Sequence, residues 1–198
     1  MTREIELEPP VFETARLRVR MLAPEAAARM CRYHLDNRAH LARWEPPRPP
    51  GFFTEDFWEW RLERSRDEYL ADQSLHLSLE ARDDPDGPLV GQASLSHFVR
   101  GALQGCTLGY SLGAAFEGRG LMQEALAPLL AHAFGPLAFH RVEANHGPEN
   151  LRSARLLARL GFEHDGLARR YLYIDGAWRD HVRTVLLNPA PMRPPALG

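Results

Sequence analysis

Leu108-Gly109-Tyr110-Ser111-Leu112, followed after four residues by Glu117-Gly118-Arg119-Gly120-Leu121-Met122-Gln123-Glu124-Ala125-Leu126, is the stretch that decides the fold. Gly105 to Leu112 suits a strand, the glycines allow a tight turn, and Ala125, Leu126, Leu129 and Leu130 follow at helical spacing. A strand feeding a helix through such a turn brings exposed backbone amides and the helix's positive end together. That is a nest for a phosphate or pyrophosphate, with Arg119 adding charge at the rim. An ordinary tight turn with a solvated arginine uses the same residues, so the turn alone does not choose between them. It does not fit the dinucleotide fingerprint, whose three glycines follow a first strand and precede an acidic residue on the next; a nicotinamide cofactor is therefore not expected. Pro128 inside the helix should free the carbonyl of Glu124 and bend or shorten the segment.

Toward the C terminus, His140 to Asn145 reads as a strand, and Asn150 to Leu160 as a helix that Asn150 caps and Gly161 closes. Its Leu156, Leu157 and Leu160 face a sheet, while Arg152, Arg155 and Arg159 reach solvent and Ser153 occupies the first turn. Closing strands are expected at Phe162 to Tyr173 and Asp180 to Leu187. Toward the N terminus, the alternation of Arg16 to Arg20 marks a first strand, and Pro24 opens a helix running to about Leu35. Trp44 to Gly51 is a proline-rich loop, and Thr54 caps a helix carrying Phe57, Trp58, Leu62 and Tyr69. Ser74 to Leu79 and Leu89 to Phe98 form a hairpin around the turn Asp83 to Pro88, with His76, Ser78, Ser94 and Ser96 on the less buried face. Antiparallel signals first and strand-helix-strand signals later predict an α/β, mixed α+β architecture with helices covering the sheet.

The chain has 198 residues, of which 44% are apolar, enough for one compact domain over residues 12–188. Residues 189–198 are proline-rich and expected to be irregular. All 24 basic residues are arginine, against 26 acidic ones. Without lysine there is no Schiff-base amine, no kinase-type lysine and no Walker loop ending in Lys-Ser or Lys-Thr. A formal charge of -2 argues against general nucleic-acid binding. Cys31 and Cys106 are too few and too far apart for a disulfide framework or a zinc site, so no metal is expected. The acidic opening residues and the lack of a long apolar run predict a soluble, cytoplasmic protein without membrane contact.

The chain resembles the Gcn5-related N-acetyltransferases, in particular their ribosomal-protein alanine N-acetyltransferase group. The matching text is Leu41-Ala42-Arg43-Trp44-Glu45-Pro46, Leu108 to Leu112, Gly118 to Leu126, Asn150 to Phe162, and Tyr173 to Val182. The resemblance implies a mixed, mostly antiparallel central sheet of about six to seven strands covered by about four helices. It also implies acetyl-CoA as cosubstrate and a protein N-terminus as acceptor, with the alanine of ribosomal protein S5 first in line. In the family's turn, Gln or Arg is followed by two variable residues, Gly, one variable residue, and Gly or Ala. Gly120 matches the central glycine, whereas Glu117 departs in charge and Met122 in size. Glu117 is expected to point away from the phosphates, which it would repel.

Leu112, Gly118, Arg119, Gly120, Leu121, Met122, Asn150 and Ser153 are the coenzyme-binding candidates that the resemblance implies. In the family, the strand ending near Leu112 splays from its neighbour and admits the coenzyme arm. Ser153 is the first candidate for donating a hydrogen bond or proton to the departing sulfur, with a structural role in the helix's first turn as the alternative. Glu45 is a candidate base for the acceptor amine. Tyr110 is an aromatic wall of the acceptor pocket or, with its high intrinsic pKa, an acid. Trp44 and Trp178 are core aromatics or acceptor walls beside Glu45 and Tyr110. Asp180 and His181 form an acid-base pair on paper, though a satisfied strand histidine explains His181 as well. Carboxylates of Glu45, Asp180 and the turn Asp83 to Asp86 would draw a basic acceptor tail if they met at the mouth. A transferase for a small amine or antibiotic, and a noncatalytic acetyl-CoA-binding or assembly protein, are the competing readings.

Overall fold

In the computed structural model, which describes residues 8–190, eight strands form one sheet in the order β1-β2-β3-β4-β5-β6-β8-β7. They are β1 (Val11–Glu13), β2 (Leu17–Arg20), β3 (Leu75–Ala81), β4 (Gly91–Val99), β5 (Gly105–Leu112), β6 (Arg141–His146), β7 (Glu163–Ile174) and β8 (Ala177–Leu187). The helices are α1 (Ala27–Asp36), α2 (Arg38–Ala42), α3 (Glu55–Leu70), α4 (Leu121–Phe134) and α5 (Leu151–Arg159). Every neighbouring pair is antiparallel except β5 and β6.

α4 buries Leu121, Ala125, Leu126 and Leu129 against the sheet face that carries Leu17, Val19, Leu75, Leu77 and Leu79. Each such fully buried aliphatic side chain contributes roughly 1.5–3 kcal/mol relative to exposure. The opposite face of β3 is covered by α1, which packs with α3 around Met30, Tyr33, Trp58 and Leu62. That cover corrects the expected exposure of Ser78, which is buried and donates to the Met30 sulfur at 3.4 Å. It also buries Glu80, whose carboxylate accepts from Arg20 Nε at 2.6 Å and Arg29 Nη1 at 2.7 Å.

Two elements exceed the expected count. β1 is only three residues long and follows Pro9-Pro10, too short for an alternation to register. α2 is a single five-residue helix separated from α1 by one residue, Asn37. α4 runs unbroken for 14 residues despite Pro128, so the expected shortening does not occur. Leu126 and Leu129 on either side of the proline are fully buried, and their packing offsets the roughly 3 kcal/mol that an internal proline costs. Thr54 caps α3 as expected, accepting from the Phe57 amide.

The parallel pairing of β5 with β6 covers only Gly105–Thr107 against Arg141–Glu143. Beyond Thr107, β5 stays in register with β4 as far as Leu112, while β6 follows β8 to His146. The two strands part, and a wedge opens between Leu108–Leu112 and the end of β6. Part of the expected tail, from residue 191 onward, lies outside the described residues.

Candidate active site

The wedge opens into a cleft of about 1010 Å³. One wall is the β5 backbone from Leu108 to Leu112, the second is the turn before α4, and the third is the start of α5. In the turn, Gly118 and Gly120 both have φ of 76°, a left-handed conformation that glycine adopts without steric penalty. Gly120 leads directly into α4, whose first-turn amides on Leu121, Met122 and Gln123 have no acceptor within the helix. Across the cleft, Asn150 accepts from the Ser153 amide at 3.1 Å and so starts α5 with Ser153 turned inward.

Ser153 Oγ lies 2.7 Å from Tyr110 Oη, so the third residue of α5 meets β5 across the gap. Burial pushes the Tyr110 phenol up to about 12, against the opposing effect of the Ser153 hydrogen bond. One residue further along β5, Ser111 Oγ lies 3.0 Å from Tyr33 Oη, another phenol raised by burial. Glu45 lines the same cleft; burial raises its carboxyl above the usual range, although its partner Arg48 pulls the other way. Trp44 stands beside it under the Arg43 guanidinium, 4.4 Å from the ring centre.

Trp44, Glu45, Tyr110, Leu112, Gly118, Gly120, Leu121, Met122, Asn150 and Ser153 all line this one cleft. Arg119 and Trp178 do not. Arg119 faces a smaller cavity of about 490 Å³ behind the turn, with its guanidinium 6.0 Å from the Phe116 ring centre. Trp178 is 61% exposed and packs edge-on against Tyr173, its cross-strand partner near the end of the β7–β8 hairpin.

Asp180 does not pair with His181; it accepts from the Arg170 amide at 2.8 Å, while His181 Nδ1 lies 3.3 Å from the Arg179 carbonyl. The acidic turn around Asp83 and Asp84 borders the rear cavity, so the expected carboxylates do not gather at the mouth. Instead the cleft lining carries five arginines against three glutamates, a balance that favours an anionic ligand. Glu117, expected to point away, instead lines the cleft; it is ion-paired with Arg152, and its other oxygen lies 3.5 Å from His40 Nε2. His40, Arg152 and Arg155 were not legible as cleft residues. α2 left no periodic signal, and arginines on a capped amphipathic helix read as solvated.

A sheet parted between parallel neighbours, with a donor-rich glycine turn at one side of the gap and a hydroxyl pair across it, defines the class of the Gcn5-related N-acetyltransferases. The family model for the acetyltransferase (GNAT) domain matches residues 16–163, and the chain belongs to this family; it is an N-acetyltransferase. It is 40% identical over 176 residues to the [ribosomal protein uS5]-alanine N-acetyltransferase of Escherichia coli (strain K12), covering 89% of this chain and 90% of that one. Among solved structures it is similar to the ribosomal-protein-S5-alanine acetyltransferase from Vibrio fischeri, with a TM-score of 0.88, 32% identity and coverage of 93% and 100% of the two chains. Mycobacterium smegmatis RimJ in complex with CoA-disulfide gives a TM-score of 0.82 at 32% identity, covering 89% of this chain and 86% of that one.

Proposed function

We propose that residues 12–188 act as one domain that transfers an acetyl group from acetyl-CoA to the N-terminal α-amine of a protein, with the alanine of ribosomal protein S5 as the first acceptor to try. The observation that carries this reading is the Tyr110–Ser153 pair spanning the wedge, 2.7 Å apart, beside an arginine-rich channel that ends at a helix N terminus. The acceptor is taken from what the similar Escherichia coli and Vibrio fischeri enzymes are named for.

The residues present suit the coenzyme. The paired left-handed glycines leave the turn's amides free of side-chain cover: a Cβ added at Gly118 would meet nothing within 4 Å. Amides of Gly120, Leu121 and Met122 would hold the diphosphate, and the unpaired edge of β5 near Leu112, with Asn150 opposite, would hold the arm. Bound there, acetyl-CoA supplies a thioester carbonyl as electrophile and a thiolate as leaving group.

Tyr110 is protonated throughout the neutral range and, through Ser153, donates its proton at the sulfur. Amides at the end of β5, from Ser111 to Gly113, are the candidates for polarising the carbonyl. Glu45 receives the amine proton directly or through a water, and Trp44 walls the acceptor side. Among the described residues, no helix is long and apolar enough to cross a membrane. A cytoplasmic setting, where acetyl-CoA and newly made ribosomal proteins meet, is the compartment we assign.

Incubating the protein with acetyl-CoA and a peptide that begins with the acceptor's N-terminal alanine, then weighing the peptide, tests the reading. One added acetyl group on the α-amine is expected. No mass gain across peptides with varied N termini, with coenzyme A still bound, would overturn the peptide-acceptor assignment.

A further inference from the structure

The peptide group between Arg119 and Gly120 is held from the rear of the turn. Arg16 Nη1, from the segment just before β2, donates to the Arg119 carbonyl at 3.0 Å. The same guanidinium is fixed by Glu124 in the first turn of α4, which accepts from Arg16 Nε at 2.7 Å and lies 2.6 Å from Nη2. The other Glu124 oxygen accepts from the Arg16 amide at 2.7 Å and from Thr14 Oγ1 at 2.6 Å. Thr14 is itself tied to Leu17, its amide donating to the Leu17 carbonyl at 2.8 Å and its hydroxyl oxygen accepting from the Leu17 amide at 2.9 Å. Burial alone would raise the Glu124 carboxyl, but the Thr14 and Arg16 hydrogen bonds hold it below the ordinary range, so it is ionised at neutral pH.

In a trans peptide the carbonyl and the next N–H point in opposite directions. A carbonyl of Arg119 drawn toward Arg16 therefore turns the Gly120 amide the other way. Arg16 and Arg119 border the cavity behind the turn, Gly118, Gly120 and Met122 border the cleft in front, and Leu121 lines both. The need for such a hold follows from Gly120, which this peptide enters at φ of 76° and which has no Cβ to oppose a peptide flip. A flipped peptide would aim a carbonyl dipole at a bound phosphate in place of a donor.

We propose that Arg16, fixed by Glu124 and Thr14, is a positioning residue that presets the glycine turn so that the Gly120 amide faces the coenzyme diphosphate. The inference rests on the coenzyme-binding reading above. Arg16 acts without touching the coenzyme, because it stands behind the turn and outside the cleft lining.

Calorimetric titration of the parent and of Arg16→Met, each with coenzyme A and with pantetheine, separates this role from a general structural one. Pantetheine lacks the diphosphate, so only coenzyme A should feel a turn that is no longer preset. Arg16→Met should bind coenzyme A about tenfold more weakly, the scale of one lost charge-assisted hydrogen bond, and bind pantetheine as the parent does. Arg16→Lys, which keeps a cationic donor, should recover part of the loss. Glu124→Gln should weaken coenzyme A in the same selective way, and this variant carries the comparison if Arg16→Met does not fold. The same selectivity should appear in kcat/KM with acetyl-CoA against S-acetylpantetheine. Unchanged coenzyme A affinity, or equal losses for both ligands, would overturn the positioning role. A parent protein that binds no coenzyme A would overturn the transferase reading and this inference with it.

Discussion

Tyr110 and Ser153 come from positions 43 residues apart, and their hydroxyls meet in the cleft, where the proposed mechanism has them donate a proton to the departing sulfur. Tyr110→Phe should lower kcat about a hundredfold, the low end for loss of a general acid, with little change in KM for acetyl-CoA. Steady-state kinetics over a range of acetyl-CoA concentrations checks the split; a rise in KM with kcat preserved would make the phenol a binding group. Glu45 must be ionised to accept a proton, and burial raises its pKa, so activity should fall as pH drops through that raised value. Glu45→Gln should lower kcat and remove this limb from the pH–rate profile. A profile identical to the parent's would move the base elsewhere.

The elements that hold the site were legible to different degrees, for physical reasons. α5 declared both its ends, because Asn150 caps it by accepting from the Ser153 amide and Gly161 takes φ of 86° just beyond it. Asn150→Ala should cost about 1 kcal/mol in urea unfolding and weaken coenzyme binding, whereas Asn150→Ser, which keeps an acceptor, should restore most of both. Stability lost without any change in binding would confine Asn150 to capping. β5 and the glycine turn were also readable, since alternation and glycine chemistry are local. The wedge was not readable from alternation: the same Leu108–Leu112 pattern serves a strand paired on one edge or on both. α2 was too short to show a period, and with it His40 was missed. Trp44 and Trp178 looked equivalent in sequence; only the path of the proline-rich loop and the reach of the β7–β8 hairpin put one in the cleft and left the other in solvent.

At the scale of the molecule, two buried groups on the α1 side of the sheet, His34 and Glu80, contribute to the response to acid, alongside His76 on β3, which burial lowers to about 4. Burial, assisted by the nearby Arg48 charge, lowers His34 to about 3. The unfolded chain takes up this proton near the ordinary histidine pKa of about 6.5, so the stability from neutral His34 is complete above that pH and is lost progressively toward pH 3. Glu80 adds to the same trend at lower pH: burial would raise it, but Arg20 and Arg29 hold it below the ordinary carboxyl range. The melting temperature should therefore begin to fall below about pH 6.5, before ordinary carboxylates titrate. His34→Phe, which keeps a ring stacked on Trp58 but cannot titrate, should make the decline between about pH 6.5 and pH 4.5 shallower in thermal scans, leaving the part that His76 contributes. An unchanged slope in that variant would assign the early decline to another group.

The short β5–β6 ladder also gives the molecule a mechanical weak line. Three residue pairs, Gly105 to Thr107 against Arg141 to Glu143, join a five-stranded half-sheet to a three-stranded one, whereas β6 meets β8 over six. Apart from the equally short edge pairing of β1 with β2, this is the shortest ladder in the sheet, so force applied between the two half-sheets would part them here. A ligand arm lying in the gap and hydrogen-bonded to both halves would act as a fastener, so occupancy would register as a higher rupture force.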